Sequence, residues 1–503
     1  MPRPIVADAQ PNWAGGLNTT ADDSELAENE CRRASEGRLT EFGAITRRLG
    51  TQRTHASAIG SGNIVRGGYS WQYGSTVQQL AISNGVLNTG TYAIPMTWNA
   101  EAGSVSTIAV PSFAAFYETA AEACYIADGG LLNKWDGTTF TNNIAGTPAV
   151  TQIAVYNLRL FGCGASAAPQ SLYWSALSNG DTLGNAGSGG GVAIVRTFAQ
   201  QDLTGLLPLG SSLLLLHRAG ISRFTGWSQD DIDIDGGTQG VSADVGTLAP
   251  RTGIAVENFG YILSDRGIYR ITESGVERIS QKIESVIAGL DQTKFPRAFS
   301  VHNRARREVL FYLPDIGIYA YNYRLDAWSG PWTGKFTSKV THSMWSTLDA
   351  TSAPIWLWGG SDGFVRRGDA PSIYLDDVLS DGTGGSSYTL AAQAHRFYFG
   401  DPISEKSLRF AYVQSNLRGS ANAAVEWSTG TGAGSKTLSA SNYPIWGSGT
   451  WGTFIWGGAG SDAQRVQVHG RGNYADFTFS DSGSVESVCA RLEAQAFDMT
   501  RRF

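Results

Sequence analysis

The chain has 503 residues, with 62 Gly, 15 Trp and 19 Tyr against only 4 Met, a balance that favours strands and tight turns over helices. Charged residues are 16% of the whole and the formal net charge is −6. That excludes a basic nucleic-acid footprint and leaves a surface that DNA can slide past without sticking. The length supports a large core and two or three domains.

Residues 1–60 read as an N-terminal arm. Met1–Val6 run into a polar stretch, so no secretory leader is expected. Asp22, Asp23, Glu25, Glu28, Glu30, Arg32, Arg33 and Glu36 crowd together, and Ser24–Arg33 have enough helical character for one short helix. Trp13, Leu17, Leu39, Phe42, Ile45 and Leu49 are too many apolar residues for a free tail. They are expected to pack on the rest of the chain or on a neighbouring subunit, with Arg47 and Arg48 near acidic partners.

Residues 61–368 carry a repeat. A turn, a Gly and an alternating apolar run recur at Gly85, Gly130, Gly220, Gly267, Gly317 and Gly363, with gaps of 45, 90, 47, 50 and 46. The double gap predicts a degenerate copy near 170, which Leu172–Ser175 fit without their Gly. A strand-built period of ~40–50 residues marks a β-propeller, here of six or seven blades. One copy reads strand by strand as Gly253–Glu257, Gly260–Ser264, Ile268–Thr272 and Val276–Ile279. The odd spacing of Ile268 and Ile271 puts them on opposite faces of their strand. Gly267 is expected at positive φ in a tight turn. A helix is expected at 280–290, capped by Ser280, with Ile283, Val286, Ile287 and Leu290 on one face.

Residues 369–386 read as a linker, since Ser380–Ser387 cannot pack a core. Residues 387–503 lack the glycine phrase and read as a separate β-sandwich. Its expected strands include Arg396–Phe399, Leu408–Val413, Arg465–His469 and Asp476–Ser480. The fold class is therefore all-β: a β-propeller with an N-terminal arm and a C-terminal β-sandwich. The longest apolar runs, such as Leu213–Leu216, are strand-sized and too short for a membrane helix.

No motif carries a complete chemistry. Asp231, Asp233 and Asp235 before Gly236 resemble the opening of a calcium loop, but Ser242 stands where a bidentate Glu belongs, so a solvated acidic turn is the better reading. Ser264–Gly267 and Ser361–Gly363 are fragments of the aspartate box of sialidase propellers, without its continuation. Arg304, Arg306 and Arg307 within one hairpin are expected to face solvent or a partner. His55, His217, His302, His342, His395 and His469 form no ligand pair and are read as strand-surface or turn residues. Gly187–Gly191 lack a phosphate-loop Lys and read as a flexible loop. Trp328, Trp332, Trp345, Trp356 and Trp358 suit inter-blade packing better than a sugar platform. The scattered Cys31, Cys124, Cys163 and Cys489 read as reduced thiols rather than zinc ligands. The chain is accordingly read as a non-enzyme with no catalytic, cofactor or metal residues.

The arm also carries a resemblance. Trp13-Ala14-Gly15-Gly16-Leu17-Asn18-Thr19, Asp22-Asp23, Glu28-Asn29-Glu30 and Gly43-Ala44-Ile45-Thr46-Arg47-Arg48-Leu49-Gly50 resemble the opening of the tail nozzle, or head-stabilisation, proteins of short-tailed bacteriophages. Leu49 departs from that pattern, which has Pro there. Ser280–Glu284, Tyr321–Tyr323 and Ala327–Ser329 fit the same family. The resemblance implies a virion protein made in the host cytoplasm: a homo-oligomeric ring, a hexamer, that extends the DNA-ejection channel below portal and adaptor. It further implies contacts with the adaptor and with tail fibres or a tail needle, DNA passing without sequence-specific binding, and no membrane insertion. The alternative from the residues alone is a carbohydrate-binding or glycan-hydrolysing propeller at a tail tip.

Overall fold

The computed structural model describes residues 5–119, 121–198, 201–226, 238–417, 422–438 and 462–499. The strands between Val65 and Arg367 are arranged as a β-propeller. Six four-stranded antiparallel sheets stand alone, and a seventh four-stranded unit is the start of a ten-stranded sheet. In chain order the blades span 65–100 (blade 1), 112–141 (blade 2), 152–194 (blade 3), 203–242 (blade 4), 254–278 (blade 5), 299–332 (blade 6) and 343–367 (blade 7). Contacts between first strands run from each blade to the next and from blade 7 back to blade 1, closing the circle. The fourth strand of blade 7 is Gln52–Arg53 from the arm, paired with Arg367 and Arg366. Chain start and propeller end are thus stitched into one blade.

The repeat glycines all fall in the hairpin between a blade's second and third strands, and Ser171–Trp174 are the third strand of blade 3, where the degenerate copy belongs. Gly85, Gly267, Gly317 and Gly363 have positive φ, whereas at the second copy it is Gly129, not Gly130, that does. At Gly267 φ is +145°, and an added Cβ would lie 2.6 Å from Ser280 Oγ and 2.7 Å from Arg278 Nε.

A blade buries both faces, which accounts for the alternation in its strands. Ile271 and Tyr269 pack toward blade 4, in one core cluster with Leu214 and Leu216. Ile268, on the other face, joins Phe311 and Trp328 of blade 6. Each remaining blade junction has its own apolar cluster. The five tryptophans named above are buried among these contacts or against the sandwich.

The sandwich is built from both ends of the chain. In one sheet, Ser487–Asp498 pair with Lys406–Leu417 on one side and with Ile5–Gln10 and Ile45–Thr46 on the other. In the other sheet, Glu30–Ser35 pair with Leu390–Ala394, which lead through Ala475–Asp481 to Ala423–Thr429. Ala34 also pairs with Gly330 of blade 6, so this sheet runs on into the propeller.

Several expectations need correcting. The arm forms strands and no helix over 24–33, because Cys31 and Ala34 are buried on a sheet rather than along a helical stripe. Phe42 does not pack, and is 95% exposed at a hairpin tip, whereas Trp13, Leu17, Leu39 and Ile45 are buried. Arg396–Phe399 are not a strand. The Asp8 carboxylate accepts hydrogen bonds from Tyr398 N and Phe399 N and turns the chain there. The helix near 280 is short, a 3-10 turn at Gln281–Ile283 followed by Glu284–Ala288. Ser280 Oγ accepts from Ile268 N at 2.9 Å instead of capping it. In the expected linker, Ser380–Ser387 are largely exposed but Asp376, Asp377 and Val378 are buried. Gly191 begins the outer strand of blade 3, and Asn185 caps the turn at Ala186–Ser188 before it.

Candidate functional site: a buried arginine seam

The arm, blades 6 and 7, residues 369–379 and the sandwich meet along a line of buried ion pairs. Arg48 sits at its centre. Its Nε lies 2.6 Å from Glu36, and its two terminal nitrogens donate to the two oxygens of Asp376 at 2.9 and 2.6 Å. The Tyr388 ring covers the guanidinium at 3.8 Å. Glu36 in turn accepts from Thr333 N at 2.7 Å and Thr333 Oγ1 at 2.8 Å. Every hydrogen-bonding edge of the pair is thereby engaged, as a buried charge requires. Arg47 donates to Tyr388 O and lies 3.8 Å from Asp481, both side chains being fully buried. Arg47 and Arg48 thus both stand beside acids.

Two further arginines repeat the pattern. Arg38 grips Asp369 with two hydrogen bonds of 2.8 and 3.0 Å, and its Nε stands 3.0 Å from Glu308. Arg366 lies between Asp377 at 2.8 Å and Asp362 at 2.6 Å, and Asp377 also takes two bonds from Arg53. The aspartate-box fragment at Asp362 therefore serves as an internal arginine clamp.

These charges polarise one another. Burial would raise Asp377, but Arg53 and Arg366 outweigh it and pull its carboxyl down to about 2. Burial acts the same way on Asp369, and the Arg38 charge again prevails and lowers it. Glu308 goes the other way: desolvation, joined by the nearby Asp369 charge, exceeds the help from Arg38 and pushes it up to about 7. Beside this end of the seam opens a cleft of about 630 Å³, lined by Asn303, Arg306, Trp356, Asp369, Tyr374 and Glu486.

The other sequence candidates are dispersed. Asp231, Asp233 and Asp235 lie outside the described residues. Arg304, Arg306 and Arg307 are exposed on the first hairpin of blade 6, and Arg307 reaches Glu41 of the arm at 3.0 Å. His55, His217 and His395 are buried rather than at the surface. Their environments hold them in place: His217 bonds Ser222 Oγ at 2.8 Å, His395 bonds Gln10 at 2.8 Å, and His55 stacks on Phe364. Burial lowers His55 and His217 to about 4. All four cysteines are buried free thiols, with Cys31, Cys163 and Cys489 pushed up to about 12 by desolvation. Among the described residues no cluster of three or more His, Cys, Asp or Glu is placed to hold a metal ion, and no helix is long and apolar enough to cross a membrane. The sequence showed Glu36 only as one of the arm's crowded charges, and gave no site role to Arg38, Glu308 or Arg366. The one local signal was Asp376-Asp377 set between Leu375 and Val378, an acidic pair inside an apolar run.

These features define an all-β propeller protein whose most elaborate polar site is a structural seam. No protein-family model matches its sequence, and no curated protein does. Among solved structures it is similar to the extracellular domain of a protein assigned as a one-component system, from B. thetaiotaomicron. That likeness has 13% identity and a TM-score of 0.44, and covers 80% of this chain and 60% of that one. It is also similar to the extracellular domain of a protein assigned as a hybrid two-component system from the same organism, at 12% identity and TM-score 0.40, over 65% of this chain and 43% of that one. This chain therefore spans about half the length of those domains. A third is virginiamycin B lyase from Staphylococcus aureus, at 9% identity and TM-score 0.40, over 63% of this chain and 98% of the enzyme.

Proposed function

We propose that this chain is the structural subunit of a phage tail nozzle, a ring that extends the DNA-ejection channel below portal and adaptor. The observation that carries the reading is the place of the arm. The segments that resemble the nozzle family's opening, Gly15–Thr19 and Gly43–Gly50, are the ones that join sandwich, blades and residues 369–379. Gly16 leaves no room for a side chain against Trp328 O, 2.7 Å from where a Cβ would sit, and Arg48 ties Glu36 to Asp376. A motif that welds the parts of a subunit suits a mechanical component. The ring is sixfold on the same resemblance, and the partners are the adaptor above and tail fibres or a needle below. Mass measurement of the assembled protein, or the symmetry of a virion reconstruction, tests this. A strictly monomeric component of the tail would overturn it.

The second reading is glycan hydrolysis. It draws on the Glu308 carboxyl, held at about 7 next to Asp369 and the cleft. Glu308 is itself buried under Arg38, away from any glycan in the cleft. Assay of reducing ends after incubation with host surface polysaccharide separates the two readings. Turnover lost in E308Q would favour the glycosidase.

A further inference from the structure

We infer that a second copy of this chain docks on one face of the propeller, with blade 6 and the arm hairpin of one copy meeting blades 2 and 3 of another. The inference rests on the ring reading above and names its contact.

In a blade of four meandering strands, the first and third hairpins lie on the same face. Loop-to-loop bonds mark this face around the circle. Gly74 N donates to Glu122, Thr119 N to Ser178 O, Tyr156 Oη to Ser211 O, and Ser211 N to Glu273. On it, blades 2 and 3 expose Tyr117, Leu158 and Leu177 at 64%, 62% and 56%. Bonds from Thr119 N to Ser178 O and from Ser178 N to Leu158 O hold the three together. Leu158 has φ +57°, following Asn157 at +46°. These two residues make the tight hairpin of blade 3, whose turn needs positive φ at both, and the turn carries Leu158 out from the face. Beside the apolar trio stand Glu118, Asp136 and Asp181 around Lys134, while the other cation of the corner, Arg159, is buried against Ser175 O. This corner is apolar and acidic.

Blade 6 carries the opposite character. Phe42 is 95% exposed on the arm hairpin. The neighbouring Glu41 is 3.0 Å from Arg307 and 3.7 Å from Arg324, which fixes the hairpin on this blade. Arg304 and Arg306 are exposed alongside, and the cleft of about 630 Å³ opens next to Arg306. This corner is basic, aromatic and recessed. Blade 6 lies three blades from blade 2 in one direction and three from blade 3 in the other, so the two corners face each other across the circle. Acid and protruding Leu158 on one side match arginine and recess on the other. Complementary patches at different places on one subunit allow a head-to-tail series, whereas two copies pressed face to face would satisfy both patches at once in a closed pair, and the size of the linked species below separates the two.

Inter-copy cross-linking tests the contact. F42C and L158C are made in separate chains, mixed, and treated with a short bismaleimide. The native thiols are buried and do not compete. I403C, exposed on the sandwich, replaces L158C as the control. The expected result is a linked F42C–L158C species several-fold above the control, in a multimer by sedimentation. In addition, R304E should raise the concentration for half-assembly at least tenfold, and D181K in the other copy should restore it. A multimer without the cross-link overturns this contact and leaves the ring. The cross-link in a species that never exceeds two copies supports the contact and overturns the ring. A wild-type chain that stays monomeric overturns both.

Discussion

Arg48 and Lys134 each sit between two carboxylates, and they do different work. Arg48 bridges Glu36 and Asp376 with all three side chains almost wholly buried, whereas Lys134 bridges Glu118 and Asp181 at a rim where Asp181 is nearly half exposed. The planar guanidinium fixes two partners in a set geometry, and the ammonium is a hydrated point charge. Around Arg48 the tyrosine ring and the backbone donors on Glu36 replace water. The Lys134 cluster opens to solvent through Asp181, and the single Tyr125 Oη proton is shared between Glu118 and Asp181. The same constellation is therefore a weld in one place and a presented charge in the other. Exposure, not charge count, makes the difference.

The strongest way to break the comparison is to remove the weld entirely. Deleting residues 1–50 takes strands from both sandwich sheets along with Arg38, Arg47 and Arg48, leaving Glu308, Asp369 and Asp376 without their cations. The expected outcome is loss of the sandwich and aggregation of the truncated chain, read by circular dichroism and sedimentation. A soluble truncated chain with full β signal would show that the seam is dispensable. Next, Arg48→Ala should cost about 3–5 kcal/mol, because it strands two buried carboxylates. Urea midpoints measure it, and a loss below about 1 kcal/mol would place the seam in the same class as surface pairs.

Glu308 gives the seam a pH signature. Its carboxyl is raised from 4.5 to about 7 in the folded chain, so the folded state binds its proton more tightly than the unfolded state. Its stabilising contribution is complete below about pH 4.5 and drains away as pH rises through 7, by on the order of 3 kcal/mol. E308Q should flatten the fall in urea midpoint between pH 5 and pH 8. Asp377, lowered to about 2, has the opposite sign: its contribution stands above about pH 4 and is lost as pH falls toward 2.

Gly267→Val calibrates an ordinary blade hairpin against these charges. A β-branched residue at φ +145° costs on the order of 1–3 kcal/mol of strain. A thermal midpoint equal to wild type would contradict this. The smallest effect belongs to Lys134→Ala, expected to cost about 1 kcal/mol, since Lys134 and Glu118 are each 17% exposed and Asp181 44%, between a surface pair and a buried one. A larger loss would mean that the rim cluster is itself a weld.

Periodicity was enough to read the propeller. The glycine phrase marks the same hairpin in six of the seven blades, and the odd spacing of Ile268 and Ile271, an imperfection in a half-buried strand, is explained by a strand buried on both faces. The tryptophans at 328–358 likewise read correctly as packing residues. The arm was legible only in part. Its apolar residues and Arg47-Arg48 announced burial, yet Phe42 looked the same in sequence as Ile45. Exposure at a hairpin tip depends on what lies opposite, and no local pattern records that.

Local preference and period thus determined, from the sequence alone, that the chain is all-β, where its blades turn and which strands alternate. The tertiary structure alone decided which distant residues meet. Arg48 finds Asp376 and Arg38 finds Asp369 only because the chain's first strands return to the last blade and the sandwich. A pairing across more than 300 residues has no period to betray it, and the free energy of a buried charge depends on partners that only the closed fold brings within 3 Å.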